Sequence, residues 1–214
     1  MPNQNTGCYL CQNPVEFACT ECNRHICGKH GRIRILCTAC VELAIALQEP
    51  GKYTIGQASC ADVEPLEELV VRFWGDPEQL MFDQRFRVSK QPAIVAKSDN
   101  KIVGFIFYTP FQEAAVLIVA LGVLAPFQGR GIGRALLQQV EDYARNEAKQ
   151  ELLVVTSNDN LPALAFYQQQ GFQLFEVAPD VIAQKLGSLQ LGISNIPIRD
   201  ELRFRKSLTQ SSTG

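Results

Sequence analysis

Residues 128–134 of this chain read Gln128-Gly129-Arg130-Gly131-Ile132-Gly133-Arg134. The apolar segment 114–125 precedes them and is typical of a buried strand. The segment that follows, 135–144, carries apolar residues at helical spacing. The sequence therefore predicts a strand that leads through a glycine-rich turn into a helix.

A turn of this kind presents backbone N–H groups at the positive end of a helix dipole, where an anion can bind. Glycines let the backbone approach the anion closely, and Arg130 and Arg134 add positive charge. No Lys-Ser/Thr pair follows the glycines, so the stretch is not a P-loop. The glycine spacing is one residue short of a dinucleotide fingerprint, and no acidic residue ends a second strand about 20 residues later. We predict a phosphate-binding turn of another kind.

A second block follows a predicted strand at 151–156 and reads Asn158-Asp159-Asn160-Leu161-Pro162-Ala163-Leu164-Ala165-Phe166-Tyr167-Gln168-Gln169-Gln170-Gly171-Phe172. Together the two blocks resemble the GCN5-related N-acetyltransferases (GNAT). Gln128, Gly131 and Gly133 match that family's loop, Gln/Arg-x-x-Gly-x-Gly/Ala. The second block matches Asn-x-x-Ala-x-x-Phe-Tyr-x-x-x-Gly-Phe in full, and the resemblance covers residues 53 to 208.

The resemblance implies an α/β fold with a mixed sheet that is splayed between its fourth and fifth strands. Acetyl-CoA would lie in the gap, with its pantetheine arm paired to the backbone of the fourth strand near Leu121 and Val123. The N–H of Val123 or a neighbour would hold the thioester carbonyl and stabilise its oxyanion. A bulge at Gly122 is the alternative interpretation of that glycine, and both can hold.

The resemblance also assigns roles to individual residues around the coenzyme. Tyr167 occupies the general-acid position; the alternative is an aromatic that only packs. Asn160 is either a coenzyme contact or a helix cap. The residues expected to bind the diphosphate through their backbone N–H groups are Gln128, Gly129, Arg130, Gly131, Ile132, Gly133 and Arg134.

The sequence does not identify a general base. Leu117 stands where histone-type relatives carry a basic glutamate, which disfavours a histone-type lysine mechanism. The remaining candidates are Glu68, Asp83, Tyr108 and Glu113. A chain of water molecules would also serve, because an exposed amine loses its proton readily.

Seven of the eight cysteines lie between positions 8 and 40 and, with one histidine, form four pairs: Cys8 and Cys11, Cys19 and Cys22, Cys27 and His30, Cys37 and Cys40. A two-residue spacer lets both side chains of a pair face one metal ion, and two pairs complete a tetrahedron. The four pairs therefore predict two zinc ions. A disulfide framework would need an oxidising compartment and would leave His30 unexplained.

This pattern resembles the B-box and AN1 type of zinc finger, in which the pairs alternate in a cross-brace. That would place Cys8, Cys11, Cys27 and His30 on one ion and Cys19, Cys22, Cys37 and Cys40 on the other. The last pair departs from the relatives, which commonly use histidine there. His25 is a competing ligand, although it would break the regularity of the four pairs.

The chain divides into a finger at 1–50, an acetyltransferase-like domain at 51–208 and a polar tail at 209–214, and Pro50-Gly51 marks the first boundary. We expect a long insertion at 179–198. The predicted strands are 53–58, 92–97, 101–108, 114–123, 151–156, 172–177 and 201–208. The predicted helices are 61–73, 76–86, 131–148 and 160–169.

Composition narrows the classes of function. The 214 residues are 46% hydrophobic and 20% charged, as in globular proteins. The net charge of −2 disfavours binding to nucleic acid or to an anionic membrane. The first residues lack the features of a signal peptide, and the longest apolar run is too short to span a bilayer. We therefore expect a cytoplasmic protein.

The resemblance therefore implies an acetyl-CoA-dependent N-acetyltransferase, in which a primary amine attacks the thioester directly. The finger would be structural or would bind a protein partner. The alternative is a non-catalytic acetyl-CoA sensor whose finger recruits a partner, which coenzyme binding without turnover would indicate. Nucleic-acid targeting by the finger is disfavoured and would show steeply salt-dependent binding.

Overall fold

The computed structural model of the protein describes residues 53–188, 190–192 and 195–208, together with the backbone of Phe17–Ala18 and His25–Ile26. The eight predicted zinc ligands and the tail at 209–214 lie outside these residues. The strands are β1 (Phe17–Ala18), β2 (His25–Ile26), β3 (Thr54–Gln57), β4 (Glu78–Met81), β5 (Gln84–Arg87), β6 (Ala93–Ser98), β7 (Lys101–Phe111), β8 (Ala115–Val123), β9 (Glu151–Ser157), β10 (Gln173–Ala178), β11 (Gln190–Leu191), β12 (Pro197–Ile198) and β13 (Glu201–Ser207). The helices are α1 (Val63–Trp74), α2 (Ile132–Asn146), α3 (Leu161–Gln169) and α4 (Val181–Leu186).

A seven-stranded sheet forms the centre of the molecule, in the order β10-β13-β9-β8-β7-β6-β3. All neighbouring strands are antiparallel except β8 and β9, which run parallel. The α2 helix connects that parallel pair, as a parallel crossover requires. The predicted mixed α/β fold is therefore confirmed.

The core lies in two layers, one on each face of the sheet. On one face, α2 buries an apolar stripe that includes Ile132, Leu136 and Val140, and Tyr167 of α3 joins the same cluster. On the other face, Leu66 and Val70 of α1 pack against the sheet. The α1 helix ends at Gly75, whose φ of 73° is left-handed and whose N–H donates to the Val71 carbonyl at 2.7 Å.

The predicted helix at 76–86 is wrong, because this segment is the hairpin of β4 and β5. Phe82 and Asp83 form its turn with φ angles of 50° and 60°, which a helix cannot contain. The Phe82 ring packs on Phe111 with the ring centroids 5.2 Å apart. Contact with a distant strand thus overrides the local helical pattern.

The other predicted elements are present, with small shifts of their ends. The strand that starts at Lys101 continues three residues beyond the predicted end, to Phe111. The insertion at 179–198 contains α4 and the two-residue strands β11 and β12. Asn158 attaches the insertion to the end of β9, because its Oδ1 accepts from the N–H groups of Arg199 and Asp200 at 2.8 and 2.9 Å.

A buried ion pair holds the start of α1 to the sheet. Asp62 is 5% exposed, and its Oδ1 lies 2.6 Å from Lys97 Nζ on β6. Its Oδ2 accepts from the N–H and the hydroxyl of Ser59 at 2.8 and 2.7 Å. The hydrogen bond from Lys97 is the main cause that holds the pKa of Asp62 at about 2, below its ordinary value of 3.8, although burial acts in the opposite direction.

Replacing Asp62 by Asn should lower the free energy of unfolding by about 2 kcal/mol at pH 7. A depressed pKa stabilises the fold above the unfolded value of 3.8. That contribution is lost as the pH falls toward about 2, so the difference from wild type should shrink between pH 4 and pH 2. Urea unfolding across this pH range measures the difference.

Asp142→Asn is the control, since Asp142 is 52% exposed and its pair with Arg145 should contribute under about 1 kcal/mol. An Asp62→Asn deficit that does not change with pH would contradict the assignment.

Candidate active site

The parallel strands β8 and β9 separate along half of their length. Their pairing runs from Ala115 opposite Glu151 to Ile118 opposite Val154 and ends there. Both strands continue, β8 to Val123 and β9 to Ser157. The sheet therefore contains a gap between residues 119–123 and 155–157.

A β-bulge lies at the start of this gap. Phe107 is opposite Ala120 and Tyr108 is opposite Ile118, which leaves Val119 as the extra residue of β8. Gly122 pairs regularly with Phe105, so the bulge is three residues earlier than the position considered from the sequence. A bulge bends its strand and increases the local twist. It therefore directs β8 away from β9 at the residue where their pairing ends.

The backbone direction of β8 follows from its register with β7. The N–H of Leu124 donates to the Val103 carbonyl at 2.9 Å, in line with the pairing of Val123 opposite Gly104. Backbone groups of alternate residues point to opposite sides of an antiparallel strand. Leu121 and Val123 therefore direct their backbone N–H and C=O groups toward the gap.

The side chain of Gln128 fixes the turn to the end of β8. Its Nε2 donates to the Val123 carbonyl at 2.9 Å, so that acceptor is occupied. Its backbone N–H donates to the Ala125 carbonyl at 3.2 Å. The expectation that the Gln128 amide binds the diphosphate is therefore wrong, because that amide closes a short 3₁₀ turn at Ala125–Phe127. Gln128 positions the turn instead.

The glycine-rich turn that follows leads directly into α2. Gly129 and Gly131 have φ angles of 82° and 80°, a left-handed backbone that glycine adopts without strain. Ala135 is the first residue of α2 to donate to a carbonyl of the turn, that of Gly131, at 2.9 Å. The backbone N–H groups of 131–134 have no preceding helical carbonyl to bind, as at every helix start. They form a group of donors at the positive end of the α2 dipole.

The α3 helix packs beside this helix start. A Cβ on Gly133 would lie 3.4 Å from the ring of Phe166, which is an ordinary contact distance. Asn160 caps α3, because its Oδ1 accepts from the Ala163 N–H at 3.2 Å. The capping interpretation of Asn160 is thus confirmed, and its coenzyme contact stays a prediction.

Tyr167 is buried on α3, in the cluster beneath the gap. Its ring lies 5.3 Å from that of Phe166 and 5.4 Å from that of Phe172, between centroids. Burial raises the pKa of Tyr167, since the phenolate would lose its hydration. The phenol therefore stays protonated through the neutral range. Its packing role is confirmed, and its role as proton donor stays a prediction.

The candidates for a general base do not gather at the gap. Glu68, Asp83 and Glu113 are exposed. The Tyr108 hydroxyl is buried and accepts from Gln57 Nε2 at 3.4 Å. Leu117 is fully buried.

Sequence reasoning missed two charged residues on β13, Glu201 and Arg203. Both are buried, and Arg203 Nε donates to Glu201 Oε1 at 2.7 Å. The alternating pattern of residues 201–208 is typical of a half-buried strand. Residues 201–204 are instead buried on both faces of the sheet. The alternation of charges does place Glu201, Arg203 and Arg205 on one face, which was the available signal.

Gly122 allows two aromatic rings to pack against β8. A Cβ at this position would lie 2.7 Å from Phe105 Cζ and 3.2 Å from Phe73 Cε1. We expect Gly122→Ala to lower the free energy of unfolding by about 1 to 3 kcal/mol, because the buried Phe105 ring must shift. Urea unfolding measures the loss. In Gly56→Ala the new methyl meets no atom within 4 Å, so this control should lose nothing. Equal losses in the two variants would rule out the packing explanation.

In the part of the chain that the structure describes, no group of three or more His, Cys, Asp and Glu side chains is arranged to hold a metal ion. None of the helices described is long and apolar enough to cross a bilayer. The predicted ligands from Cys8 to Cys40 lie outside those residues.

Residues 61–172, just over half of the chain, match the acetyltransferase (GNAT) family. The uncharacterized protein YdhI of Bacillus subtilis is 32% identical over 146 residues, which are 66% of this chain and 89% of YdhI. The N-alpha-acetyltransferase RimI of Mycobacterium tuberculosis is 31% identical over 129 residues, 56% of this chain and 78% of RimI. The structure is also similar to that of a GNAT family acetyltransferase from Elizabethkingia anophelis with acetyl-CoA bound. That match has a TM-score of 0.56 and 21% identity, and covers 72% of this chain and 97% of the other.

The separated strands, the glycine-rich turn and this similarity all indicate the same family. The chain belongs to the acetyltransferase (GNAT) family. It is an enzyme of the GNAT N-acetyltransferase type.

Proposed function

We propose that the enzyme transfers the acetyl group of acetyl-CoA to a primary amine by direct attack. The observation that supports this most is the gap between β8 and β9, into which Leu121 and Val123 direct their backbone groups. The pantetheine arm carries amides and can pair with this free strand edge as an added strand would.

The residues around the gap supply the other parts of the site. The N–H groups of Gly131, Ile132, Gly133 and Arg134 form an anion cradle for the coenzyme diphosphate, with Gly129 and Arg130 shaping the turn. The N–H of Val123 holds the thioester oxygen as it gains negative charge. The Asn160 side chain makes a further contact with the coenzyme.

The reaction forms a C–N bond and breaks the C–S bond of the thioester. The neutral amine nitrogen attacks the carbonyl carbon, and the negative charge moves to the carbonyl oxygen. When the tetrahedral intermediate collapses, the sulfur leaves as a thiolate and takes a proton from the Tyr167 hydroxyl. The amine proton passes to water, which also restores the phenol.

Two measurements test this proposal. Calorimetry should show acetyl-CoA binding, and release of free CoA thiol should depend on an added primary amine. No acetyl-CoA binding would refute the proposal outright. Binding without turnover across panels of amines and peptides would instead indicate a coenzyme sensor.

We also propose that residues 1–50 bind two zinc ions through Cys8, Cys11, Cys19, Cys22, Cys27, His30, Cys37 and Cys40. The support is the regular spacing of the four pairs. The short ladder of β1 and β2, with Ala18 opposite His25, brackets the segment that holds Cys19 and Cys22. The module would then serve structure or a protein partner.

Metal analysis of the purified protein should find two zinc ions per chain. Cys27→Ser should lower that content, since one ion loses a thiolate ligand. Cys60→Ser is the matched control, because Cys60 is the eighth cysteine and lies outside the four pairs. His30→Ala and His25→Ala then separate the two candidate histidines. A wild-type chain without zinc would disprove the assignment.

A further inference from the structure

A fully buried glutamate lies one strand away from the gap. Glu201 is 1% exposed, and its register partner is Ser157, the last residue of β9. Adjacent strands are about 4.8 Å apart, so Glu201 is next to the strand that borders the open part of the sheet. Val155 shares its face with Ser157 and packs in the cluster covered by α1. Glu201 is therefore on the α1 side of the sheet.

One oxygen of this carboxylate is bonded and the other is not. Oε1 accepts from Arg203 Nε at 2.7 Å and from the Phe82 N–H at 3.3 Å. Oε2 is buried and has no hydrogen-bond partner among the described residues. A buried acceptor without a donor costs about 1 to 3 kcal/mol, and more when it is charged. The site thus lacks one donor.

The charges around Glu201 favour a cationic donor. Arg203 serves three carboxylates: Glu201, Glu176 at 3.0 Å and Asp83 at 3.7 Å. One positive charge therefore faces three negative ones. Arg205 and Glu151, which lie beyond them, contribute one charge of each sign.

A cavity of about 290 Å³ opens beside this cluster. Its lining includes Phe82, Leu153, Phe175, Glu176 and Arg203. Leu153 places it along β9, on the same face as Glu201. The cavity therefore leaves open space on this face of the sheet, beside Glu176 and Arg203.

The two polar contacts between the β4–β5 turn and the Glu201–Arg203 pair are long. The Phe82 N–H lies 3.3 Å from Oε1, and Asp83, which is 81% exposed, lies 3.7 Å from Arg203. Exposed ion pairs of this kind contribute little stability. An entering ammonium group can therefore replace these two polar contacts, while the Phe82 ring stays packed on Phe111.

We propose that the acceptor is a cationic amine with a second positive charge, and that Glu201 Oε2 binds its distal ammonium. This inference rests on the proposed acetyl transfer and names its substrate class. Glu201 is then a positioning residue, which holds one end of a diamine while the other end attacks the thioester. Arg203 orients the carboxylate through the hydrogen bond from its Nε.

The test compares binding of 1,5-diaminopentane and pentylamine, measured by calorimetry on the full-length protein with CoA present. In Glu201→Gln, the amide oxygen can still accept from Arg203 and Phe82, while the NH₂ group takes the place of Oε2. The NH₂ group of the glutamine and the distal ammonium of the diamine are then both donors, and no hydrogen bond can form between them. We expect the Kd for the diamine to rise at least about tenfold and the Kd for pentylamine to stay constant.

Glu176→Gln is the matched control. It removes the same charge from Arg203, but at a side chain that is 46% exposed, so diamine binding should change less than about threefold. Unchanged unfolding midpoint and CoA affinity would show that Glu201→Gln is folded. The proposal is overturned if wild type does not bind the diamine, if Glu201→Gln binds it as wild type does, or if both variants lose affinity equally.

Turnover separates this proposal from the one on which it rests. If pentylamine is acetylated and the diamine has no advantage that Glu201→Gln removes, the positioning role fails and acetyl transfer stands. If the diamine binds through Glu201 but no amine is acetylated, acetyl transfer fails and the binding site stands.

Discussion

Tyr167→Phe should lower kcat for acetyl transfer by about 10² to 10⁴-fold, the usual contribution of a general acid. The variant removes one oxygen and keeps the ring that packs between Phe166 and Phe172. Burial raises the pKa of Tyr167, so its hydroxyl holds a proton throughout the neutral range. A thiolate that forms in the same dry surroundings becomes more basic as well, which keeps the transfer favourable. Steady-state release of CoA thiol measures the loss.

Acetyl-CoA affinity should stay the same in Tyr167→Phe, because the proton is needed only when sulfur leaves. Tyr143→Phe is the control, since Tyr143 packs at the same core and lies 4.8 Å from the Tyr108 ring. It should keep wild-type kcat. Full activity in Tyr167→Phe would show that the residue only packs.

Gly131→Ala should weaken acetyl-CoA binding by about 100-fold. The φ of 80° at Gly131 is strained for alanine by about 1 to 2 kcal/mol, although its Cβ meets no atom within 4 Å. The turn relieves this strain by rotating its peptides, which moves the N–H groups away from the diphosphate. Two lost bonds to a charged group, at about 1.5 kcal/mol or more each, give the expected factor. Calorimetry with acetyl-CoA measures it.

Gly187→Ala is the matched control for this prediction. Gly187 ends α4 with a φ of 68°, and its Cβ also meets no atom within 4 Å. Both variants should lose similar thermal stability, whereas only Gly131→Ala should lose coenzyme affinity. Equal coenzyme affinity in the two variants would show that the turn does not bind the diphosphate.

The parts of the fold that follow from local sequence were predictable. The apolar run before Gln128 and the helical spacing after Gly133 gave β8 and α2 nearly to their observed ends. Asn160, three residues before Ala163, marked the start of α3. In each case the sequence pattern and the hydrogen bonds that form the element lie within the same segment of the chain.

Features that depend on distant contacts were not predictable. The β4–β5 hairpin is fixed by Phe82 on Phe111 and by Glu201, which is 119 residues away in sequence. The bulge at Val119 depends on the register between β7 and β8. The burial of Glu201 depends on Arg203 and on the hairpin above it. No spacing pattern within a single sequence indicates which distant residues will pair.

The separation of β8 from β9 gives this protein a sheet edge in its interior. Exposed edges invite other chains to add a strand and aggregate. Here the free edge of residues 119–123 faces β9, between helices on both faces. A slender arm with two amides can enter this slot, whereas a whole foreign strand with its side chains cannot. The enzyme thereby keeps the hydrogen-bonding capacity of a sheet edge and restricts it to a thin, extended ligand.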